Sequence, residues 1–205
     1  QLITLNFNVK DKLTELEDIL SGQKTLSARD RKILFPVIEE VESTDSNLLL
    51  GAVDSFTIKI SKAKFTDRFI IVPSAAELDK KLEEQIKISW QKAKDFCNGY
   101  VKKINDYHEV IINFDEHLGV YKGDSVGTAL SIGFIEQILK FYNSHTVLKP
   151  FGDVVFTGGV IANGEINQTS KDIIEKKTEI ALYSPCRILL VPKIDENYAF
   201  SKLEE

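Results

Sequence analysis

Ser125 is the residue whose type and surroundings most directly suggest covalent chemistry. It lies in the stretch YKGDSVGTALSIGF, residues 121–134, between an aspartate and a run of small residues. A serine hydroxyl is a poor nucleophile until a neighbouring base removes its proton. The same position suits a helix N-cap, because a strand-like pattern precedes it and a helical pattern follows it. Ser125 is therefore a candidate nucleophile and also a candidate capping residue.

The base that activates a serine is usually a histidine, and this chain has three, His108, His117 and His145. His145 lies in a loop-like segment, and no local pattern brings His117 to Ser125. A Ser–His–carboxylate triad stays open, because such groups meet in space rather than in sequence. Lysine is the second kind of base, since burial disfavours its charged form and leaves a neutral amine near pH 7.

Lys177 is the lysine that its predicted helix turns towards the apolar side. In the segment DIIEKKTEIALYS it shares one face with Ile173, Ile180, Ala181 and Ser184 at three-and-four spacing, whereas Ile174 and Lys176 lie off that face. The alternative is a lysine whose stem covers apolar surface while its ammonium group stays in water. Periodicity alone favours that alternative.

The elements that must position these residues alternate between strand and helix patterns. Strand patterns occupy residues 47–65, 68–74, 109–114, 153–166 and 187–192. Helical patterns occupy residues 78–104, 125–143 and 170–184. We expect Trp90 in the core, a turn at Asn163 and Gly164, and Ser170 as an N-cap. This order predicts an α+β or mixed α/β fold, with helices on one or both faces of a sheet.

Residues 1–45 differ in pattern from the rest of the chain. VKDKLTELEDILSG has apolar residues at helical spacing, and SARDRKILFPVIEEVES begins at a candidate N-cap, Ser27, and is interrupted by Pro36. We interpret these residues as a helical lead-in or a linker to a missing module, and residues 46–205 as the folded domain. A helical elaboration of that same domain is equally favoured. The chain starts at Gln1 and lacks methionine, which indicates a fragment of a longer protein.

The composition is that of an ordinary globular domain with a core. The hydrophobic fraction is 43%, the charged fraction is 28%, and the net charge of -5 gives no electrostatic footprint for nucleic acid. No window approaches about eighteen consecutive apolar residues, so no membrane span is predicted. Cys97 and Cys186 suggest neither a disulfide framework nor a metal cluster, and we expect two free thiols in a reducing, cytoplasmic compartment.

Residues from about 47 to 200 resemble the proteolytic domain of the Lon protease family, which uses a Ser–Lys dyad. VIINFDEHLGVYKGDSVGTAL is similar to the family's strand, loop and nucleophile segment, and VVFTGGVIANGEI to its hairpin with a TG pair. KTEIALYSPCRILLVPKIDEN resembles the family's closing helix and strand, in which the catalytic lysine stands fifteen residues before a proline. Counting back from Pro192 gives Lys177, the lysine that helical periodicity also selects.

The resemblance implies roles for five residues. Ser125 would be the nucleophile, Lys177 the general base, and Thr157 the threonine that orients the lysine. Gly123 and Asp124 complete the GDS segment, in which bacterial members usually have proline before the serine and an archaeal, membrane-linked branch often has aspartate. Asp124 would hydrogen-bond Lys177 or hold the loop as a gate, although its charge would raise the pKa of the lysine and oppose base function.

The chain also departs from the family pattern. Gly159 stands where family members carry the glutamate or serine of TGE or TGS. QTSKD replaces a GG pair before the lysine helix, and the stretch from residue 125 to residue 157 is longer than usual. No G-x-x-x-x-G-K-[ST] motif is present in the 205 residues, so ATP would enter only through a separate AAA+ module.

The function that the resemblance implies is that of a serine endopeptidase acting on protein substrates through an acyl-enzyme. The implied fold is shared with ribosomal S5-type domains. A homo-oligomer, hexameric in the family, is expected, with an AAA+ or regulatory module on a missing segment and no cofactor in this fragment. The alternative is a catalytically silent Lon-like domain that serves oligomerisation or docking. Small-molecule kinase chemistry and nucleic-acid binding are less favoured, because GDSVGTA is a poor phosphate loop and the net charge is negative.

Overall fold

The computed structural model describes residues 32–42, 47–72, 79–102, 104–115, 124–146, 148 and 152–204. They belong to one compact unit that begins at Lys32. The strands are β1 (Ile33–Glu42), β2 (Asn47–Ala63), β3 (Arg68–Val72), β4 (Tyr107–Phe114), β5 (Val154–Phe156) and β6 (Ile188–Leu190). The α-helices are α1 (Lys80–Cys97), α2 (Gly127–Phe141), α3 (Lys171–Leu182) and α4 (Glu196–Leu203), and a short 3₁₀ helix at Lys193–Asp195 precedes α4.

The strands form one mixed sheet in the order β3-β4-β2-β1-β5-β6. β2 is antiparallel to both of its neighbours, β1 and β4. β3 runs parallel to β4, and β5 runs parallel to both β1 and β6. The predicted α+β class is confirmed, because helices pack on a sheet that contains antiparallel and parallel pairs. The more specific Lon-type or ribosomal S5-type fold stays a prediction.

One hydrophobic core joins the sheet to α1 and α2. Phe35, Phe56 and Phe114 come from three neighbouring strands and meet with ring centroids 5.5 to 5.9 Å apart. Aromatic rings at this separation stabilise a core beyond the effect of the area they bury. These three rings therefore tie β1, β2 and β4 together at the centre of the sheet.

The apolar faces of α1 and α2 meet over this sheet. Trp90 of α1 is buried with its ring 5.3 Å from that of Phe134 of α2, so its predicted place in the core is confirmed. α2 approaches the sheet closely at Gly133, where a Cβ would lie 2.7 Å from Ile58 Cδ1. The small residues of the early turns of α2 thus serve close packing. None of the helices in the described ranges is both long and apolar enough to cross a membrane.

Ile33–Glu42 is a strand, so the prediction of helix for this part of the lead-in is wrong. β1 pairs with β2 along all ten of its residues. The alternate residues Ile33 and Phe35 are buried, which is the two-residue period of a strand. Long-range pairing with β2 therefore outweighs the local helix signals, and Pro36 lies within a strand instead of interrupting a helix. The sheet includes these residues of the predicted lead-in, and residues 1–31 lie outside the described ranges.

The C-terminal part of the chain differs from the prediction in detail. β5 covers only Val154–Phe156 of the predicted strand–turn–strand, and an isolated bridge joins Val160 to Ile166. The turn is confirmed, because Gly164 has a φ of 93°, a left-handed conformation that favours glycine. The 3₁₀ helix and α4 have no counterpart among the predicted elements.

Candidate active site

Residues 157–159 directly follow β5 and connect the elements that carry the predicted site residues. The Thr157 N–H donates to the last carbonyl of β6 at 3.1 Å. The Gly158 N–H donates to the Ser125 carbonyl at 2.8 Å. The Gly158 carbonyl accepts from the Thr128 N–H at 2.8 Å and from Thr128 Oγ1 at 2.9 Å. These bonds fix the start of α2, and with it Ser125, against the segment.

Gly158 is the residue that this close approach requires. Its φ is 123°, which side chains of L-residues rarely adopt. A Cβ at this position would lie 2.6 Å from Ile166 Cγ2 and 3.0 Å from Pro192 Cγ. Any larger residue would therefore strain the backbone and displace Ile166 and Pro192.

Lys177 on α3 is buried, with only 3% of its surface exposed. Its Nζ donates a hydrogen bond to Thr157 Oγ1 at 3.1 Å. Lys176 is partly exposed and forms an ion pair with Glu179 at 3.2 Å. The prediction that Lys177 is the inward-facing lysine is confirmed, and the alternative of an ammonium group in water is wrong.

The predicted apolar face of α3 needs one correction. Ile174 was placed off the apolar stripe but is fully buried, whereas Ile173 is only partly buried. α3 packs against β1 and β2 and also against α4. The unpredicted α4 widens the buried part of α3 beyond a single stripe.

Burial lowers the pKa of Lys177 from its ordinary 10.5 to about 8, because desolvation disfavours the ammonium form. The carboxylates of Asp124 and Asp195 act in the opposite direction and raise this pKa. Burial is the larger effect. With a pKa near 8, about a tenth of the molecules carry a neutral amine at pH 7. Lys177 therefore has the basicity that a general base needs near neutral pH.

Asp124 occupies the space beside Gly159. A Cβ at Gly159 would lie 2.9 Å from Asp124 Cγ and 3.0 Å from Asp124 Oδ2. Asn167 Nδ2 donates to Asp124 Oδ2 at 3.4 Å. A carboxylate at residue 124 and a side chain at residue 159 therefore compete for one place.

Ser125 is partly buried and lies one residue before Val126, the N-cap position of α2. The N-cap is Val126, and no side chain among the described residues caps α2 by a hydrogen bond, so the capping interpretation of Ser125 is wrong. The Gly127 N–H instead donates to the Asp124 carbonyl at 2.9 Å. In the described residues, Lys177 Nζ is hydrogen-bonded to Thr157 and not to Ser125 Oγ.

Four of the five predicted site residues thus adjoin the segment 157–159 or belong to it. Ser125 is bonded to it through its carbonyl, Asp124 packs on it, and Lys177 is bonded to Thr157 within it. Gly123 lies outside the described residues.

The histidine alternative gains no support from the described residues. His108 is buried near the start of β4, and its Nε2 is 2.9 Å from the Tyr142 hydroxyl. The ring of His108 packs against Phe141, the last residue of α2, whereas Ser125 precedes the first residue of this helix, about 20 Å of helix away. His145 is exposed, and His117 lies outside the described ranges.

Two polar residues of α1 support the site from a further side and are absent from the predicted set. Gln85 is buried and binds both backbone groups of Val160: its Nε2 donates to the carbonyl at 2.9 Å, and its Oε1 accepts from the N–H at 3.2 Å. Ser89 Oγ donates to the Gly127 carbonyl at 3.0 Å. The signal in the sequence is a pair of uncharged polar residues, four apart, on the apolar face of α1, where each must find a partner.

In the described part of the chain, no group of three or more His, Cys, Asp or Glu side chains is arranged to hold a metal ion. Cys97 and Cys186 are free thiols. No protein-family model matches this chain. No curated protein is significantly similar to it. The resemblance to Lon proteases therefore stays an expectation from motifs, and a function has to be argued from the site itself.

Proposed function

We propose that this chain is a Lon-type serine endopeptidase in which Ser125 and Lys177 hydrolyse peptide bonds of protein substrates through an acyl-enzyme. The observation that carries the proposal is the environment of Lys177. A buried lysine, held by the Thr157 hydroxyl and with a pKa of about 8, has a basicity near neutral pH that a surface lysine lacks. The bond between Gly158 and the Ser125 carbonyl supports the pairing, because Gly158 directly follows Thr157.

The reaction would proceed by acyl transfer. The neutral Lys177 amine takes the proton of Ser125 Oγ while that oxygen attacks the scissile carbonyl carbon and its π electrons move to the carbonyl oxygen. The Lys177 ammonium then protonates the leaving amine, the C–N bond breaks, and an ester on Ser125 remains. Neutral Lys177 next deprotonates a water that attacks the ester, and the proton returns to Ser125 Oγ as the acid product leaves.

The oxyanion formed in each step needs N–H donors near the start of α2. The Gly127 N–H is occupied by the Asp124 carbonyl, and the Thr128 N–H is also engaged. The N–H groups of Ser125 and Val126 precede the helix. They are our candidates for the oxyanion donors.

The hydrogen bond between Lys177 and Thr157 describes a resting lysine, and catalysis requires Nζ and Ser125 Oγ to approach each other. Asp124 opposes base function in this state, because its carboxylate raises the pKa of Lys177. We propose that Asp124 acts as a gate. Assembly into a homo-oligomer, or an attached AAA+ or regulatory module, would set the gate, and the free thiols fit a cytoplasmic setting for this activity.

The same resting geometry favours the second candidate function. A catalytically silent Lon-like domain that serves oligomerisation or docking would keep the serine and the lysine apart permanently. In the described residues, the Lys177 bond to Thr157 in place of Ser125 is consistent with that alternative. Only a measurement of reactivity separates the two.

The first test is cleavage of casein by the wild-type chain and by three variants. Lys176→Met is the matched control, since it removes a lysine from the same helix outside the site. We expect cleavage by wild type and by Lys176→Met, and none by Ser125→Ala or Lys177→Met. Cleavage that persists in Lys177→Met would refute the assignment of the base.

A second readout requires no large substrate. p-Nitrophenyl acetate transfers its acetyl group to an activated serine, and mass spectrometry of the digested chain locates the ester. We expect acetyl-Ser125 in wild type and Lys176→Met but not in Lys177→Met, through transient approach of Lys177 Nζ to Ser125 Oγ. Absence of acetyl-Ser125 up to about pH 9, where most Lys177 would be neutral, contradicts a dyad that forms in this chain by itself and favours the silent domain.

A further inference from the structure

Asp195 is a fully buried carboxylate that the dyad mechanism does not use. It ends the 3₁₀ helix Lys193–Asp195 and has no solvent exposure. Its Oδ2 accepts a hydrogen bond from the Thr169 N–H at 3.0 Å. Its Oδ1, also buried, has no hydrogen-bond partner among the described residues. A buried carboxylate oxygen without a partner is costly, so its persistence in a fold calls for a cation or a donor.

Asp195 lies close to the segment that holds Lys177, because its N–H donates to the Pro192 carbonyl at 2.9 Å and Pro192 lies beside Gly158, the residue after Thr157. Thr169, which anchors Asp195, comes just before α3, and α3 carries Lys177. Asp195 acts on Lys177 electrostatically and raises its pKa. Asp124 is the other carboxylate that acts on this lysine, but it is the proposed gate and would change its place. Asp195 instead belongs to the 3₁₀ helix between β6 and α4 and is fully buried.

We infer that Asp195 is a positioning residue that supplies the fixed counter-charge for the Lys177 ammonium formed when Ser125 gives up its proton. This inference rests on the proposed peptidase function. Transfer of the Ser125 proton breaks an O–H bond and creates a positive charge in a site that is almost closed to water. Asp195 Oδ1 would accept one N–H of that ammonium while Thr157 Oγ1 accepts another. The carboxylate that stabilises the imidazolium of a serine–histidine triad has the same role.

The decisive variant is Asp195→Asn, which removes the charge but keeps an oxygen for the Thr169 N–H. Its matched control is Asp172→Asn, which removes an exposed carboxylate from the first turn of α3, the helix of Lys177. Asp195→Ser, which leaves room for a water, is a second neutral variant, to be used if Asp195→Asn does not fold. Thermal unfolding verifies the fold of each protein.

The primary readout is the titration of the Lys177 side chain by NMR, with its signal identified by its loss in Lys177→Met. We expect the titration midpoint to fall by roughly one pH unit or more in the neutral Asp195 variants, because an opposite charge nearby favours the charged lysine. The midpoint should not move in Asp172→Asn. An unchanged midpoint in both Asp195 variants overturns the inference.

The second readout is the pH profile of Ser125 acetylation. In Asp195→Asn we expect the rise of the acetylation rate with pH to move to lower pH by as much as the Lys177 midpoint moves. We expect the maximal rate at high pH to fall by about tenfold, since a weaker base accepts the proton less readily. A lower plateau with an unshifted limb indicates a merely structural role and overturns the inference. If the Lys177 midpoint shifts in the neutral Asp195 variants but wild type never acetylates Ser125, the peptidase proposal is overturned. If wild type acetylates Ser125 but the midpoint does not shift in the variants, only the role of Asp195 is overturned.

Discussion

Lys177→Met tests the buried lysine through protein stability, independently of any substrate. The pKa of Lys177 is about 8 in the folded chain and 10.5 ordinarily. The difference of about 2.5 units corresponds to about 3 kcal/mol of folding free energy, at 1.36 kcal/mol per unit. Methionine is similar in length and does not titrate, so it removes this contribution while filling most of the same space.

The direction of the pH dependence follows from the lower folded-state pKa. Between about pH 8 and pH 10.5 the unfolded chain binds more protons at Lys177 than the folded chain, so stability rises with pH. The stability that the neutral Lys177 amine allows is fully present above the unfolded-state pKa, and it is lost as the pH falls through the folded-state pKa. From pH 7 to pH 9.5 the gain amounts to about 2 kcal/mol.

Urea unfolding at pH 7 and at about pH 9.5 measures this gain. The difference in unfolding free energy between wild type and Lys177→Met should shift by about 2 kcal/mol in favour of wild type at the higher pH. Other alkaline groups, such as Cys97, whose pKa burial raises to about 11, are common to both proteins and cancel. Lys176→Met should show no comparable shift. If the difference in unfolding free energy between wild type and Lys177→Met is the same at both pH values, the lowered pKa of Lys177 is refuted, and the assignment of Lys177 as the base is refuted with it.

Three further predictions concern the same site. The rate of Ser125 acetylation should rise about tenfold per pH unit below pH 7 and reach half its maximum at about pH 8, and a flat profile contradicts titration of Lys177. Thr157→Val should slow acetylation and destabilise the fold by about 1 kcal/mol, because Lys177 Nζ loses its acceptor; urea unfolding and acetylation rates in parallel check both effects. Gly159→Ala should destabilise the chain by about 1–3 kcal/mol, because the new Cβ contacts the Asp124 side chain. In a double-mutant cycle, Asp124→Gly should remove most of this destabilisation, and additive free-energy changes would contradict the contact.

The sequence predicts those parts of the site that periodicity determines. Three-and-four spacing places Trp90 in the core and Lys177 on the apolar side of α3, although spacing alone favoured a Lys177 ammonium group in water. The turn at Gly164 follows from local backbone preference. Such features depend on neighbours a few residues away, which a single sequence contains.

Features that depend on residues far apart in the sequence could not be predicted from local patterns. Ile33–Glu42 is a strand because β2 pairs with it, and no property of these ten residues alone specifies that partner. The exclusion between Asp124 and Gly159 joins residues 35 positions apart, so neither reveals the other in sequence. Asp195 belongs to a short polar stretch without periodicity, and its burial depends on packing of α4 beside α3.

The hydrogen bond between the Thr157 N–H and the Leu190 carbonyl of β6 has a consequence for the order in which the site is assembled. During synthesis Ser125 leaves the ribosome 65 residues before Leu190, and Lys177 follows Ser125 by 52 residues. The Thr157 N–H gains this acceptor only after β6 has been made, so the lysine's partner is completely held only at that stage. If the dyad is catalytic, a nascent chain is chemically inert until its final strand is in place. Unfinished copies on one message would then be protected from cutting themselves or each other.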